Sequence, residues 1–262
     1  MSDHDFLKLA VIGDPVAHSA SPALLREFMA EAGIAGSYEA IRVAAGQGAR
    51  AILELSEQGY CGLNVTTPLK EEAYRAIGDI GVGSGEIVRA TGSVNTIVFD
   101  PAGGPDGRPL GCNTDGIGAR EAIRAATGAE PRDSGTILVL GAGPTARAAA
   151  FELVDGNARV LLWNRTAERA REMAGRFEAR LWNGEPVDVV FSALRPGPDL
   201  DDDLIETLRS ARVVVDANYG PRATLASLLE RDVVDGDEML RASARASFEM
   251  WLQPHRRRRG QP

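Results

Sequence analysis

Lysine is nearly absent from this chain. Of its 29 basic residues only Lys8 and Lys70 are lysines, the rest being arginine. A guanidinium stays protonated, whereas a lysine ammonium can be tuned toward neutrality and can give up a proton. Any step that needs a proton-exchanging cation therefore points to very few positions. One of them, Lys70, closes the stretch GLNVTTPLK, in which an apolar extended run leaves through a polar pair and a proline.

Cysteine and histidine are scarce too. Cys61 and Cys112 are too few for a disulfide framework, lack paired zinc-ligand spacing, and read as small buried side chains. His4, His18 and His255 are scattered with no His-Glu-x-x-His, so no metal site is expected. No apolar run approaches the ~20 residues of a membrane helix. The opening MSDHDFLKLAVIG carries acids where a signal peptide is basic, so a soluble, cytoplasmic protein is expected. A net charge of −8 argues against a general nucleic-acid binder, and the C-terminal HRRRRGQP reads as a solvated basic tail.

The 262 residues are long enough for two compact domains. In the first half KLAVIG, SYEAIRV and CGLNV read as short buried strands. SPALLREFMAEAG and GQGARAILELSEQG carry helical apolar spacing. Such alternation implies a mostly parallel sheet covered on both faces. SVNTIVF is a further strand, and DPAGGPDGRPLG at 100–111 a loop between paired strands. NTDGIGAREAIRAATG is a helix begun near Asp115 and stopped by Gly128. After it, TILVLGAGPTARAAAFELV opens four strand–helix units in roughly 100 residues, the pattern of a doubly wound, Rossmann-type domain.

Glycine-rich turns need context. GVGSGE at 81–86 follows no buried strand and is read as a flexible connection with no packed helix after it. GAGPTA, Gly141-Ala142-Gly143-Pro144-Thr145-Ala146, sits between a buried strand and a helix. There Gly141 allows the tight turn, Gly143 lets the backbone approach a pyrophosphate, and Ala146 allows close helix–strand packing. The peptide N–H groups of Thr145 and Ala146 would point at phosphates. The next strand ends in Asn164-Arg165-Thr166, with Arg169 one turn on, where an NAD enzyme places an acid. Two guanidiniums, a hydroxyl and an amide suit a 2′-phosphate, so NADP is the expected cofactor. A pair of exposed arginines at a helix start is the alternative.

The polar clusters IGDPVAHSASP, LNVTTPLK, TGSVNT and GCNTDG all fall at strand ends, where open α/β sheets bind ligands. Here the chain resembles the shikimate dehydrogenase family: His-Ser-x-Ser-Pro, Asn-Val-Thr-x-Pro-x-Lys, Val-Asn-Thr, Asn-Thr-Asp-Gly, Gly-Ala-Gly and Asn-Arg-Thr occur in that order. The resemblance implies an N-terminal α/β substrate domain, residues 1–115, completed by a returning C-terminal helix at 236–255. A dinucleotide domain at 116–235 lies between. It implies reversible reduction of 3-dehydroshikimate to shikimate by NADPH, a step of aromatic amino acid biosynthesis, in a monomer or homodimer acting on a small cyclic hydroxy acid. By motif position Ser19 and Ser21 would hold the substrate carboxylate. Asn64, Thr66, Asn95 and Asp115 would surround the ring with Lys70, Tyr219 would close over the carboxylate end, and Gly236 would join the cofactor set. Lys70 and Asp115 would be the catalytic pair. Chemistry favours the same pair, because hydride addition to a ketone builds charge on oxygen that a nearby cation can stabilise and protonate.

Plainer roles compete. Ser21 before Pro22 also reads as a helix N-cap, Asp115 as a cap for the helix it opens, and Asn64 and Asn95 as turn-holding residues. Lys70 as a solvated lysine at a helix start fits less well, since cations are disfavoured there. Departures from the family pattern are Ser243 at the position of a usual glutamine, Glu238 for a glycine beside it, Leu25-Arg26 for a customary His-Asn, and VFSALRPG for the usual Asn-Ala-Thr. They leave quinate or an amino-substituted shikimate as alternative substrates, and a non-catalytic NADP-binding sensor as an alternative of another class. The absence of Tyr-x-x-x-Lys and of Gly-x-Ser-x-Gly argues against a short-chain dehydrogenase and a hydrolase.

Overall fold

A computed structural model describes residues 6–80, 85–99 and 109–258. Most of the glycine-rich 81–86 stretch, most of the 100–111 loop, His4 and the end of the basic tail lie outside the described residues. The chain divides into two compact units, residues 1–114 with 244–262, and residues 115–243.

The first unit is built on strands β1 (Leu7–Gly13), β2 (Gly36–Arg42), β3 (Gly62–Val65), β4 (Thr96–Val98) and β5 (Leu110–Cys112), in the order β2-β1-β3-β4-β5. β1 pairs in parallel with β2 and β3, while β3–β4 and β4–β5 are antiparallel. The period of two along β1 decides the layering. Ala10 and Ile12 face a core with Ile52, Leu55, Leu69, Ile77 and Val88, supplied by α2 (Gly48–Glu57), α3 (Lys70–Ile80), α4 (Glu86–Thr91) and the turn before α3. Leu7, Leu9 and Val11 face the opposite core, with Phe28 and Met29 of α1 (Ser21–Glu31) and Phe248 and Trp251 of the last helix. Each such fully buried side chain contributes on the order of 1.5–3 kcal/mol. Two elements differ from expectation. α4 does open directly after the glycine-rich stretch, with Val88 fully buried, so that stretch is followed by a packed helix after all. α1 begins at Ser21, with Ala20 at the cap position and no side-chain cap, so Ser21 is the first helical residue and Pro22 the second.

The second unit holds five parallel strands, β6 (Thr136–Leu140), β7 (Arg159–Trp163), β8 (Arg180–Leu181), β9 (Val189–Ser192) and β10 (Val213–Asp216), in the order β10-β9-β6-β7-β8. The order reverses at β6, the doubly wound arrangement. Leu138 and Leu140 face Leu204, Leu208, Leu225 and Leu229 of α8 (Asp202–Ser210) and α9 (Leu225–Leu229). The alternate residues Ile137 and Val139 face the side of α6 (Pro144–Asp155) and α7 (Ala167–Phe177). α5 (Asp115–Thr127) precedes the sheet, and Gly128 ends it at φ +72°. The strand–helix units fall as the periodicity predicts. β8 is additional: two exposed residues on a sheet edge carry no readable pattern. The last helix, α10 (Asp237–Arg258), changes unit after Ser243, seven residues in, whereas the sequence reading assigned all of it to the first domain.

Candidate active site

In the first unit backbone bonds draw the loops at the carboxyl ends of β1 and β3 together with the segment that leads into β4. The Asp14 N–H donates to the Thr67 carbonyl at 3.0 Å, that of Thr66 to Ile12 at 2.9 Å, that of Val65 to Asn95 at 2.8 Å, and that of Val94 to Lys70 at 3.0 Å. Gly13 permits this approach, since a Cβ there would meet the Thr66 methyl and, at 2.8 Å, the Thr67 carbonyl. Thr66, Lys70 and Asn95 thus share one sheet edge. Lys70 is the first residue of α3 and is followed by Glu71 and Glu72, which offset a cation at the positive end of the helix. Glu72 accepts the N–H groups of Gly46 and Gly48 and so holds the loop before α2. Ser19, half-buried, accepts the Ser21 N–H on its hydroxyl at 3.3 Å, and Ser21 is buried.

Asn95 is also buried. Its Oδ1 accepts the Thr114 N–H at 2.9 Å and the Thr96 hydroxyl at 2.9 Å, while its Nδ2 donates to Thr114 Oγ1 at 3.0 Å. Asn64 accepts the Tyr38 hydroxyl at 2.6 Å and donates to the Asn95 carbonyl at 3.2 Å, so its amide serves the interior of the sheet. Sequence reasoning missed Tyr38, Thr96, Thr114 and Ser247 in this network. Thr96 and Thr114 lie inside motifs the sequence displays, but Ser247 carries no local signal.

The second unit carries the glycine turn. Gly141 has φ +109°, a conformation that favours glycine, and a Cβ there would sit 3.5 Å from the Cβ of the fully buried Ala146. At Gly143 a Cβ would meet nothing within 4 Å, so open space lies over the turn. α6 starts at Pro144, which has no N–H to leave unpaired, and the first-turn N–H groups of Thr145 and Ala146 follow it. These features fit a pyrophosphate. Arg147 donates to the Ala142 carbonyl at 3.0 Å and steadies the turn.

At the carboxyl end of β7 a cavity of about 600 Å³ is lined by Trp163, Asn164, Arg165, Ala167, Trp182 and Leu200, among others. Asn164 donates to the Thr166 carbonyl at 2.9 Å, fixing the turn into α7, and Arg165, Thr166 and Arg169 are exposed. Arg169 does not line the cavity. Asp115, the first residue of α5 and buried, accepts the Thr145 hydroxyl at 3.1 Å. Tyr219 is half-buried at the end of β10, beside Asn218, whose amide spans Asp216 and the Leu194 carbonyl. Burial raises the Asp216 carboxyl above its ordinary value, although Asn218 donates to it. Gly236 is buried where a Cβ would strike the Ala217 carbonyl, so close packing accounts for this glycine. Ser243 lies against Gly118 of α5, where an added Cβ would be 3.1 Å from its own. Among the described residues no His, Cys, Asp or Glu group could hold a metal, and no helix is long and apolar enough to cross a membrane.

Residues 11–97 match the family model of the shikimate dehydrogenase substrate binding domain, and residues 125–196 match that of shikimate / quinate 5-dehydrogenase. The shikimate dehydrogenase (NADP(+)) of Methanosarcina acetivorans is 34% identical over 92% of this chain and 91% of its own. That of Methylobacterium radiotolerans is 37% identical over 94% and 92%. The crystal structure of shikimate 5-dehydrogenase from Thermus thermophilus in complex with NADP(H) and shikimate superposes with a TM-score of 0.79 at 31% identity, covering 96% of this chain and 99% of that one. Fold, strand-end motifs and whole-length relatives agree, and the chain belongs to the shikimate dehydrogenase family.

Proposed function

We propose that this protein is an NADP-dependent oxidoreductase acting on a CH–OH group, interconverting 3-dehydroshikimate and shikimate. The observation that carries the reading is the stitched edge of the first sheet, where Thr66, Lys70 and Asn95 come together in a chain whose relatives bear that activity in their name over more than nine-tenths of its length.

In this reading Lys70 stabilises charge on the carbonyl oxygen and passes a proton to it, and Asp115 orients the ammonium. Ser19 and Ser21 hold the substrate carboxylate, Thr66 and Asn95 take ring hydroxyls, and Tyr219 and Ser243 complete the enclosure. Asn64 supports the edge from inside. When bound, the cofactor supplies hydride. The Gly141–Ala146 turn would hold its pyrophosphate, with Gly236 close by, and Asn164, Arg165, Thr166 and Arg169 its 2′-phosphate. The enzyme works in the cytoplasm as a monomer or homodimer, without a nucleic-acid partner.

A spectrophotometric screen tests this: shikimate, quinate and aminoshikimate, each with NADP+ and with NAD+ at equal concentration. Fastest turnover is expected with shikimate and NADP+. The small side chain at Ser243 is what favours the second reading, a relaxed site, and faster turnover of quinate or aminoshikimate would select it. A preference for NAD+ would refute the cofactor assignment.

A further inference from the structure

Ser247 lies on α10, fully buried, and its hydroxyl has polar neighbours from three other parts of the first unit. Asn64 Nδ2 donates to its Oγ at 3.1 Å, Thr96 Oγ1 lies 2.7 Å away, and Thr114 Oγ1 lies 3.2 Å away. Thr96 and Thr114 both meet Asn95. Ser247, Thr96, Asn95 and Thr114 therefore close a ring of four polar side chains, with Asn64 joined at the serine.

The ring fixes the direction of one amide. The Thr114 N–H can only donate, so the atom of Asn95 facing it is the carbonyl oxygen. The Asn95 nitrogen donates to the Thr114 hydroxyl at 3.0 Å, so Thr114 grips both ends of the amide and sets the plane in which the nitrogen's other hydrogen points. Flipping the amide would set two N–H groups against one another at Thr114. Thr96 and Thr114 flank Asn95 with their hydroxyls 3.5 Å apart, and the serine hydroxyl, nearer to each of them, bridges the pair. Without that atom Asn64, Thr96 and Thr114 each lose a partner beside a void, and the two threonines that hold the Asn95 side chain are freer to shift.

We infer that Ser247 is a positioning residue for substrate binding: it touches no substrate itself and acts through the ring to hold the Asn95 amide as a donor toward a ring hydroxyl. The inference rests on the reading of Asn95 as a substrate contact.

The test is a double-mutant cycle of Ser247→Ala and Asn95→Ala, with KM for shikimate and KM for NADP+ measured separately. Ser247→Ala is expected to raise the shikimate KM about fivefold, the scale of one lost hydrogen bond, with the NADP+ KM unchanged. In the Asn95→Ala background it should have little further effect, because the two substitutions remove one contact. Ser247→Cys fills the space with only weak hydrogen bonding and should resemble the alanine variant in KM while folding as the parent does. A parent-like shikimate KM in both Ser247 variants, equal rises for both substrates, or additive effects in the cycle would each overturn the inference. If the parent protein does not oxidise shikimate, the functional reading has failed instead. The ring is then judged by the ¹⁵N side-chain resonances of Asn95 and Asn64, which should move and lose exchange protection in Ser247→Ala. Unchanged resonances would sink it.

Discussion

The Thr145 hydroxyl donates to the Asp115 carboxylate at 3.1 Å. Thr145 stands in the first turn of α6, directly after the glycine turn, and Asp115 opens α5. The sequence reading gives Thr145 a backbone N–H for phosphates. The structure adds a second use for the same residue, as a hydrogen-bond donor to the acid proposed for catalysis. Cofactor helix and carboxylate are thereby joined by one side chain.

Thr145→Val keeps the shape and removes the donor. A hydrogen bond to a charged group contributes about 1.5–3 kcal/mol, so kcat/KM for shikimate should fall roughly tenfold or more. The N–H groups of the turn are untouched, and NADP+ affinity should hold. Thr145→Ser should restore most of the loss. Steady-state kinetics with cofactor binding measured by fluorescence would decide, and an equal loss of cofactor affinity would assign the hydroxyl to the phosphates.

Lys70→Ala addresses the chemistry directly. General acid catalysis contributes about 10²–10⁴-fold, so kcat should drop by that order. Lys70 is part neither of the glycine turn nor of the Asn164–Thr166 turn proposed to hold the cofactor, so the dissociation constant of NADP+ should change little. Single-turnover hydride transfer is the measurement, and a native rate would remove Lys70 from the mechanism.

What was legible in the sequence follows from how local the physics is. β6 and α6 could be read because four apolar residues in a row, a turn with one obligatory glycine and an alanine-rich helix are contiguous. Lys70 stood out because arginine replaces lysine nearly everywhere else. Ser247 could not be read: its partners lie 133 to 183 residues away, and a helical serine looks alike whether buried or exposed. α4 was overlooked because the glycines before it signal a break, while the fully buried Val88 that anchors it is a tertiary fact. The role of Thr145 was half legible, since a motif specifies its backbone but not what its hydroxyl meets.

Cys112 gives a pH prediction. Burial raises its thiol from 9.0 to about 11. Below the unfolded value the stabilisation from burying a neutral thiol is complete. As pH climbs from 9.0 toward about 11 it is lost, because the unfolded chain releases a proton that the folded chain retains. The urea midpoint should therefore fall over this window more steeply in the parent than in Cys112→Ala. Since the thiolate is the nucleophile, a thiol reagent at about pH 8 should react with Cys112 far more slowly in the folded protein than after unfolding. Mass spectrometry of the labelled peptides reads this out.

Gly62→Ala probes how the last helix is seated on the first sheet. Gly62 lies in β3 under the indole of Trp251, whose Nε1–H donates to the Ile97 carbonyl at 2.8 Å. A Cβ at position 62 would run into that Nε1 and come within 2.6 Å of the same carbonyl. The indole cannot retreat, because Trp251 is 1% exposed and packed among Phe28, Phe248 and Leu252. One methyl group must therefore displace the ring and break its hydrogen bond. Overpacking of about 1–3 kcal/mol and roughly 1 kcal/mol for the lost bond together predict a loss of ~2–4 kcal/mol. Urea denaturation should show a lower midpoint with an unchanged slope. Trp251→Phe introduces no clash but removes the donor and part of the ring's bulk, and should lose about 1–3 kcal/mol. An unchanged midpoint in Gly62→Ala would mean that the strand yields there and the indole does not set its position.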